Sequence, residues 1–122
     1  RFATFIHHSA YVAKSAKVGY GCALMANVVV NSNACIGDCT TLMSNSLVEH
    51  DTFLGQYNYV AAHTAIGSNV HIGNGNFMGL NTSVNNCIKI GDYNFIGMAS
   101  NLIKGLGNYE MVYGNPARNV NA

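Results

Sequence analysis

Every sixth residue from Ile6 to Leu102 is aliphatic: Ile6, Val12, Val18, Leu24, Val30, Ile36, Leu42, Val48, Leu54, Val60, Ile66, Ile72, Met78, Val84, Ile90, Ile96 and Leu102. A fixed short period is the mark of a stacked repeat. Six fits neither a heptad nor the 3.6-residue helical period, but it is a multiple of the strand period of two. A second period lies over the first. Gly19, Gly37, Gly55, Gly73 and Gly91 each follow an anchor and stand eighteen residues apart. Three hexads therefore make one coil with three flat faces. The chain is predicted to be all-β: a parallel β-helix of hexapeptide repeats with eighteen residues per coil.

The remaining slots of the hexad agree. The fourth residue after the anchor is mostly small, as at Ala10, Ala16, Cys22, Ala34, Thr40, Ser46, Thr52, Thr64, Thr82 and Ser100. Such residues fill a narrow interior beside large anchors. The third is often Gly, Asn or Asp, as at Gly21, Asn27, Asn33, Asn45, Asp51, Asn69, Gly75 and Asn81. These tolerate left-handed backbone angles and suit the corners. The period ends at Leu102. Residues 1–104 are read as the β-helix, and residues 105–122, with Pro116, as a non-repetitive tail capping the last coil.

Five to six coils at roughly 4.8 Å spacing give a prism about 25 Å long. Its core is thin, which favours self-association. With a net charge of +1 and no Lys/Arg cluster, a nucleic-acid surface is not expected. No apolar run is long enough to span a membrane and no signal peptide is visible, so a cytoplasmic location is expected. The chain has no initiator Met and starts almost on the first hexad, so it reads as a fragment. Cys22, Cys35, Cys39 and Cys87 form no zinc pattern and are expected to be free thiols. His50, His63 and His71 lack the spacing of three convergent zinc ligands, and no metal is expected. His7 and His8 read as solvated residues at a frayed end.

Glu49, His50 and Asp51 occupy the three places after Val48, so His50 stands at a corner with an acid on each side. Imidazole titrates near neutral pH and can take a proton from an amine or hydroxyl. A carboxylate on its other nitrogen fixes the tautomer and raises its basicity. Yet an exposed histidine at a corner is ordinary, and Asp51 falls where Asn or Gly is favoured for backbone reasons. Spacing alone fits either reading. Ala62, Leu80 and Met98 are one coil apart and form an apolar ridge; Gly79 and Gly97 beside it would let a ligand approach the backbone. Tyr59, Phe77 and Phe95 form an outward aromatic column that reads as a subunit interface. Lys104 and Arg118, near the C-terminal end, are the candidate cations for a phosphate-bearing ligand.

The strings Leu47–Gly55 (LVEHDTFLG), Ile66–Gly73 (IGSNVHIG), Tyr113–Arg118 (YGNPAR) and the opening Ile6–Val12 (IHHSAYV) resemble bacterial sugar acetyltransferases. The closest group is the sialic-acid O-acetyltransferase and UDP-4-amino-sugar N-acetyltransferase type. The resemblance covers nearly the whole chain and implies a left-handed coil and an acetyl-CoA-dependent transfer to an amino or hydroxyl group of a sugar or nucleotide sugar. It implies a homotrimer with the site between neighbouring prisms. His50 matches the general base and Asp51 the acid behind it. Tyr59 stands where the family often has a histidine that contacts acetyl-CoA. The Ser68 N–H matches the donor facing the thioester carbonyl, and Leu80 and Met98 match positions lining the pantetheine arm. The family's N-terminal nucleotide-sugar-binding domain has no counterpart in these residues. The competing expectation is a non-catalytic β-helix that serves as an oligomerisation scaffold.

Overall fold

The computed structural model describes residues 2–120. Two-residue strands begin one residue before each anchor, from Phe5–Ile6 to Asn101–Leu102. They stack into three parallel faces in which each strand pairs with those eighteen residues away, as Thr41–Leu42, Tyr59–Val60 and Phe77–Met78 do. The first face starts with Phe5–Ile6, the second with Tyr11–Val12 and the third with Lys17–Val18; they hold eight, six and five strands. The anchors point inward, and from Leu24 to Leu102 all are buried. Ile6 departs from the expected interior place and is 45% exposed, because its strand pairs on one side only. Among the described residues no helix is long and apolar enough to cross a membrane.

From Gly21 to Ala99 every corner holds a left-handed residue. Asn27, Asn33, Asn45, Asp51, Asn69 and Asn81 have φ near +60°, with Gly21 and Gly75 in the same slot. Less permissive residues are also bent this way: Cys39, Tyr57, His63, Cys87, Tyr93 and Ala99. The corner geometry is thus set by the coil and overrides local preference. The glycine column has a steric cause. At Gly37, a Cβ would lie 2.5 Å from the Gly55 carbonyl carbon and 2.8 Å from the Gln56 nitrogen, both backbone atoms that cannot yield.

The small interior slot carries hydrogen bonds as well as volume. Thr40 Oγ1 donates to the Gly55 carbonyl at 2.9 Å and Thr52 Oγ1 to Gly67 at 2.7 Å. At the corner between the third and first faces the slot holds three asparagines that sequence reasoning passed over. Asn58, Asn76 and Asn94 are buried and form a ladder.

The coil continues where the sequence period ends. Leu106 bridges to Ile90, and Val112, buried, pairs with Ile96. Each takes an anchor place two residues early, which hides it from a six-residue count. The chain then folds back: Met111–Gly114 pairs antiparallel with Ala117–Asn119.

Candidate functional site

His50, Ser68, Asn86 and Lys104 share the second place after an anchor, eighteen residues apart, and so form one column along the corner between the second and third faces. His50 and Asp51 are both exposed, at 53% and 45%, and His50 Nδ1 lies 2.9 Å from Asp51 Oδ2. The left-handed backbone at Asp51, φ 60°, turns its carboxylate back toward the imidazole. The coil fixes both backbones: the Asp51 N–H donates to the Ser32 carbonyl at 2.9 Å, and the His50 carbonyl accepts from Asn69 at 3.2 Å. In the neutral imidazole, an Nδ1–H donating to Asp51 leaves the lone pair on Nε2. Glu49 takes no part; its Oε1 accepts from Asn31 Nδ2 at 2.9 Å. Of the two flanking acids, only Asp51 faces the histidine.

The Ser68 N–H is already engaged. It donates to Asn86 Oδ1 at 2.8 Å, and Ser68 Oγ lies 3.2 Å from the same oxygen.

The other nominated residues stand elsewhere on the prism. Leu80 and Met98 are exposed, at 48% and 65%, on the corner between the first and second faces. Tyr59 lies on the first face with its ring stacked 5.5 Å from Phe77, which stacks 4.9 Å from Phe95. These residues wall an open groove of about 650 Å³ that Tyr113, 6.0 Å from Phe95 between ring centroids, also lines. The wall is almost wholly apolar, which suits a flexible aliphatic arm. Tyr113 was quoted in the C-terminal string with no role attached. It is exposed on the first face, paired with Arg118 in the hairpin, a place that the six-residue count does not reach.

Gly79 and Gly97 are among the residues that line this groove. A Cβ at Gly79 would meet the Met98 nitrogen at 2.6 Å, and one at Gly97 would run into the Tyr113 ring. Both serve the close stacking of the chain on itself. Lys104 and Arg118 do not converge: Lys104 is in the His50 column, whereas Arg118 is on the edge of the first face. His63 occupies a left-handed corner slot, φ 62°, and His71 stacks on Phe53 at 4.8 Å. Among the described residues no three His, Cys, Asp or Glu side chains converge to hold a metal.

No protein-family model and no curated protein matches the chain. Solved structures do. A histidine-to-asparagine variant of perosamine N-acetyltransferase from Caulobacter crescentus, in complex with CoA and GDP-perosamine, superposes with a TM-score of 0.95 at 28% identity, over 97% of this chain and 56% of that one. The acetyltransferase domain of PglB from Neisseria gonorrhoeae, also solved with acetyl coenzyme A, gives 0.96 at 24% identity, over 98% and 58%. The UDP-N-acetylglucosamine O-acyltransferase of Moraxella catarrhalis gives 0.68 at 21%. The chain thus spans a little over half the length of the first two. Over nearly its whole length it is a left-handed parallel β-helix of the kind carried by sugar N-acetyltransferases.

Proposed function

We propose that this chain carries the acetyl-transfer site of an acetyl-CoA-dependent sugar acetyltransferase, with His50 as general base. The observation that carries the reading is the His50–Asp51 contact, standing on a coil that matches, at 28% identity, an enzyme crystallised with CoA and GDP-perosamine. Acetyl-CoA supplies an activated acetyl thioester. Asp51 holds Nδ1–H, so Nε2 takes the proton from the sugar's amino or hydroxyl group as that group attacks the thioester carbonyl. His50 then returns the proton to the departing thiolate, so no covalent enzyme intermediate is needed. The Ser68 N–H stabilises the carbonyl oxygen as charge develops on it. Leu80, Met98 and Tyr59 hold the aliphatic arm of the donor along the groove, and Arg118 or Lys104 meets its phosphates.

His50 and the groove lie on different corners of one prism, separated by the width of the second face. One prism therefore presents half a site at each of two corners. A second copy packed with a parallel axis would set its groove beside this copy's His50 column. A closed ring of three would repeat the arrangement at each contact. The homotrimer is thus part of the proposal and gives the aromatic column both a ligand wall and a neighbour.

The test is binding followed by turnover. Calorimetry should detect acetyl-CoA, and a thiol-release assay with nucleotide-linked amino sugars in the full-length protein should detect transfer. If acetyl-CoA does not bind, the protein is a scaffold and the proposal fails.

A further inference from the structure

We infer that Asn86 is a built-in competitor for the thioester carbonyl, and that its side chain sets how strongly this protein prefers acetyl-CoA to CoA. The inference rests on the functional reading above and adds a residue to it.

The geometry is specific. A donor useful to a thioester oxyanion needs an acceptor about 2.7–3.1 Å away. Asn86 Oδ1 already occupies such a position on the Ser68 N–H, at 2.8 Å. It is an amide oxygen, chemically close to the carbonyl it would stand in for. One backbone N–H cannot serve two acceptors at full strength, so the thioester must displace the Asn86 side chain. Asn86 is exposed, so its amide can swing into solvent. Ser68 lies one coil beyond His50 in the same column, and the Asn69 N–H bonds the His50 carbonyl, so this N–H stands over the base.

The same bond recurs at the corner between the third and first faces. There Asp38, Asn74, Asp92 and Asn108 cap the N–H groups of Tyr20, Gln56, Asn74 and Asp92 at 2.7–2.8 Å. This shows the cap to be a stacking device of the coil, and that Asn or Asp performs it. Among the described residues of the His50 column, Asn86 makes the only cap of this kind, on the one N–H placed for the chemistry. A fold device there doubles as a stand-in ligand.

CoA has no acetyl carbonyl, so only acetyl-CoA competes with Asn86. The experiment measures the dissociation constants of acetyl-CoA and CoA for the full-length protein and two variants by calorimetry. Asn86→Ala frees the Ser68 N–H and should strengthen acetyl-CoA binding roughly three- to tenfold, the worth of one neutral hydrogen bond, with CoA binding unchanged. Asn86→Asp keeps the cap that Asp38 and Asp92 make and strengthens it with charge. It should weaken acetyl-CoA relative to CoA by a similar factor. This variant also answers the case in which Asn86→Ala fails to fold. If both ligands shift together, or the ratio is unmoved in Asn86→Asp, the inference is wrong and the functional reading stands. If no protein binds acetyl-CoA, both fall.

Discussion

Asn76 Nδ2 donates to Asn58 Oδ1 at 3.1 Å inside the prism, and Asn94 Nδ2 repeats the bond to Asn76 Oδ1 at 3.0 Å. Each amide also donates outward, to the carbonyls of Gly73, Gly91 and Gly107 at 2.8–2.9 Å. The last oxygen accepts the Glu110 N–H at 2.8 Å. A buried amide is costly unless satisfied, and this ladder satisfies each member through the next. It ties the regular coils to the shortened last turn, and so to the hairpin that carries Tyr113 and Arg118.

Asn76→Ala should therefore destabilise the fold by about 2–4 kcal/mol, because the Gly91 carbonyl and the Asn94 N–H lose their partners in a dry interior. Denaturant unfolding measures it. A loss below about 0.5 kcal/mol would show that water or a backbone shift replaces the ladder.

Cys22 is buried, and burial pushes its thiol pKa up from the ordinary 9.0. Its Sγ donates to the Gly37 carbonyl at 3.1 Å, a bond that needs the protonated form. A group whose pKa is higher in the folded state stabilises the fold below its unfolded pKa, and that contribution is lost as pH rises through the folded value. Stability of the natural protein should therefore fall above about pH 9 more steeply than that of Cys22→Ala. Unfolding curves at pH 8 and pH 10 decide it; equal slopes would contradict it. In thiol labelling, exposed Cys87 should react well before Cys22.

The hexad made much of this structure legible. Coil length, faces, anchors and the corners that hold Gly, Asn or Asp follow from side-chain size and backbone tolerance, whereas the left-handed corners at Cys39, Tyr57, His63, Cys87, Tyr93 and Ala99 follow from the coil. The last turn was hidden because Leu106 and Val112 arrive two residues early, so a count by sixes loses them. The asparagine ladder was hidden because Asn looked like a corner residue wherever it occurred, while Asn58, Asn76 and Asn94 stand in the interior slot. The His50–Asp51 contact was legible as adjacency. The occupation of the Ser68 N–H was not, since it depends on a side chain one coil away. The division of the nominated residues between two corners was implicit in the period, because His50 follows a second-face anchor and Leu80 and Met98 follow first-face anchors.

That division gives a complementation test. His50→Ala and Met98→Glu should each be inactive alone. Coexpressed, they should regain activity in about a quarter of the clefts, those pairing an intact His50 with an intact groove from a neighbour. No recovery, with mixed oligomers verified by mass spectrometry, would place the whole site within one copy.

Asp51→Asn keeps the left-handed corner, since Asn holds that slot at Asn27, Asn33 and Asn45. It removes only the carboxylate at His50 Nδ1. Turnover should drop by about ten- to a hundredfold, less than on loss of the imidazole, with acetyl-CoA affinity unchanged. A drop as large as that of His50→Ala would mean that Asp51 touches the substrate itself.

The most direct measurement is turnover of His50→Ala with the true sugar acceptor in the full-length protein, alongside acetyl-CoA affinity. In the proposed mechanism the imidazole acts on the acceptor's proton, while the donor is held by the groove, backbone and cations. Turnover should fall by ~10²–10⁴ with the acetyl-CoA dissociation constant nearly unchanged. Near-normal turnover would show that His50 is an exposed corner residue and that the base lies elsewhere.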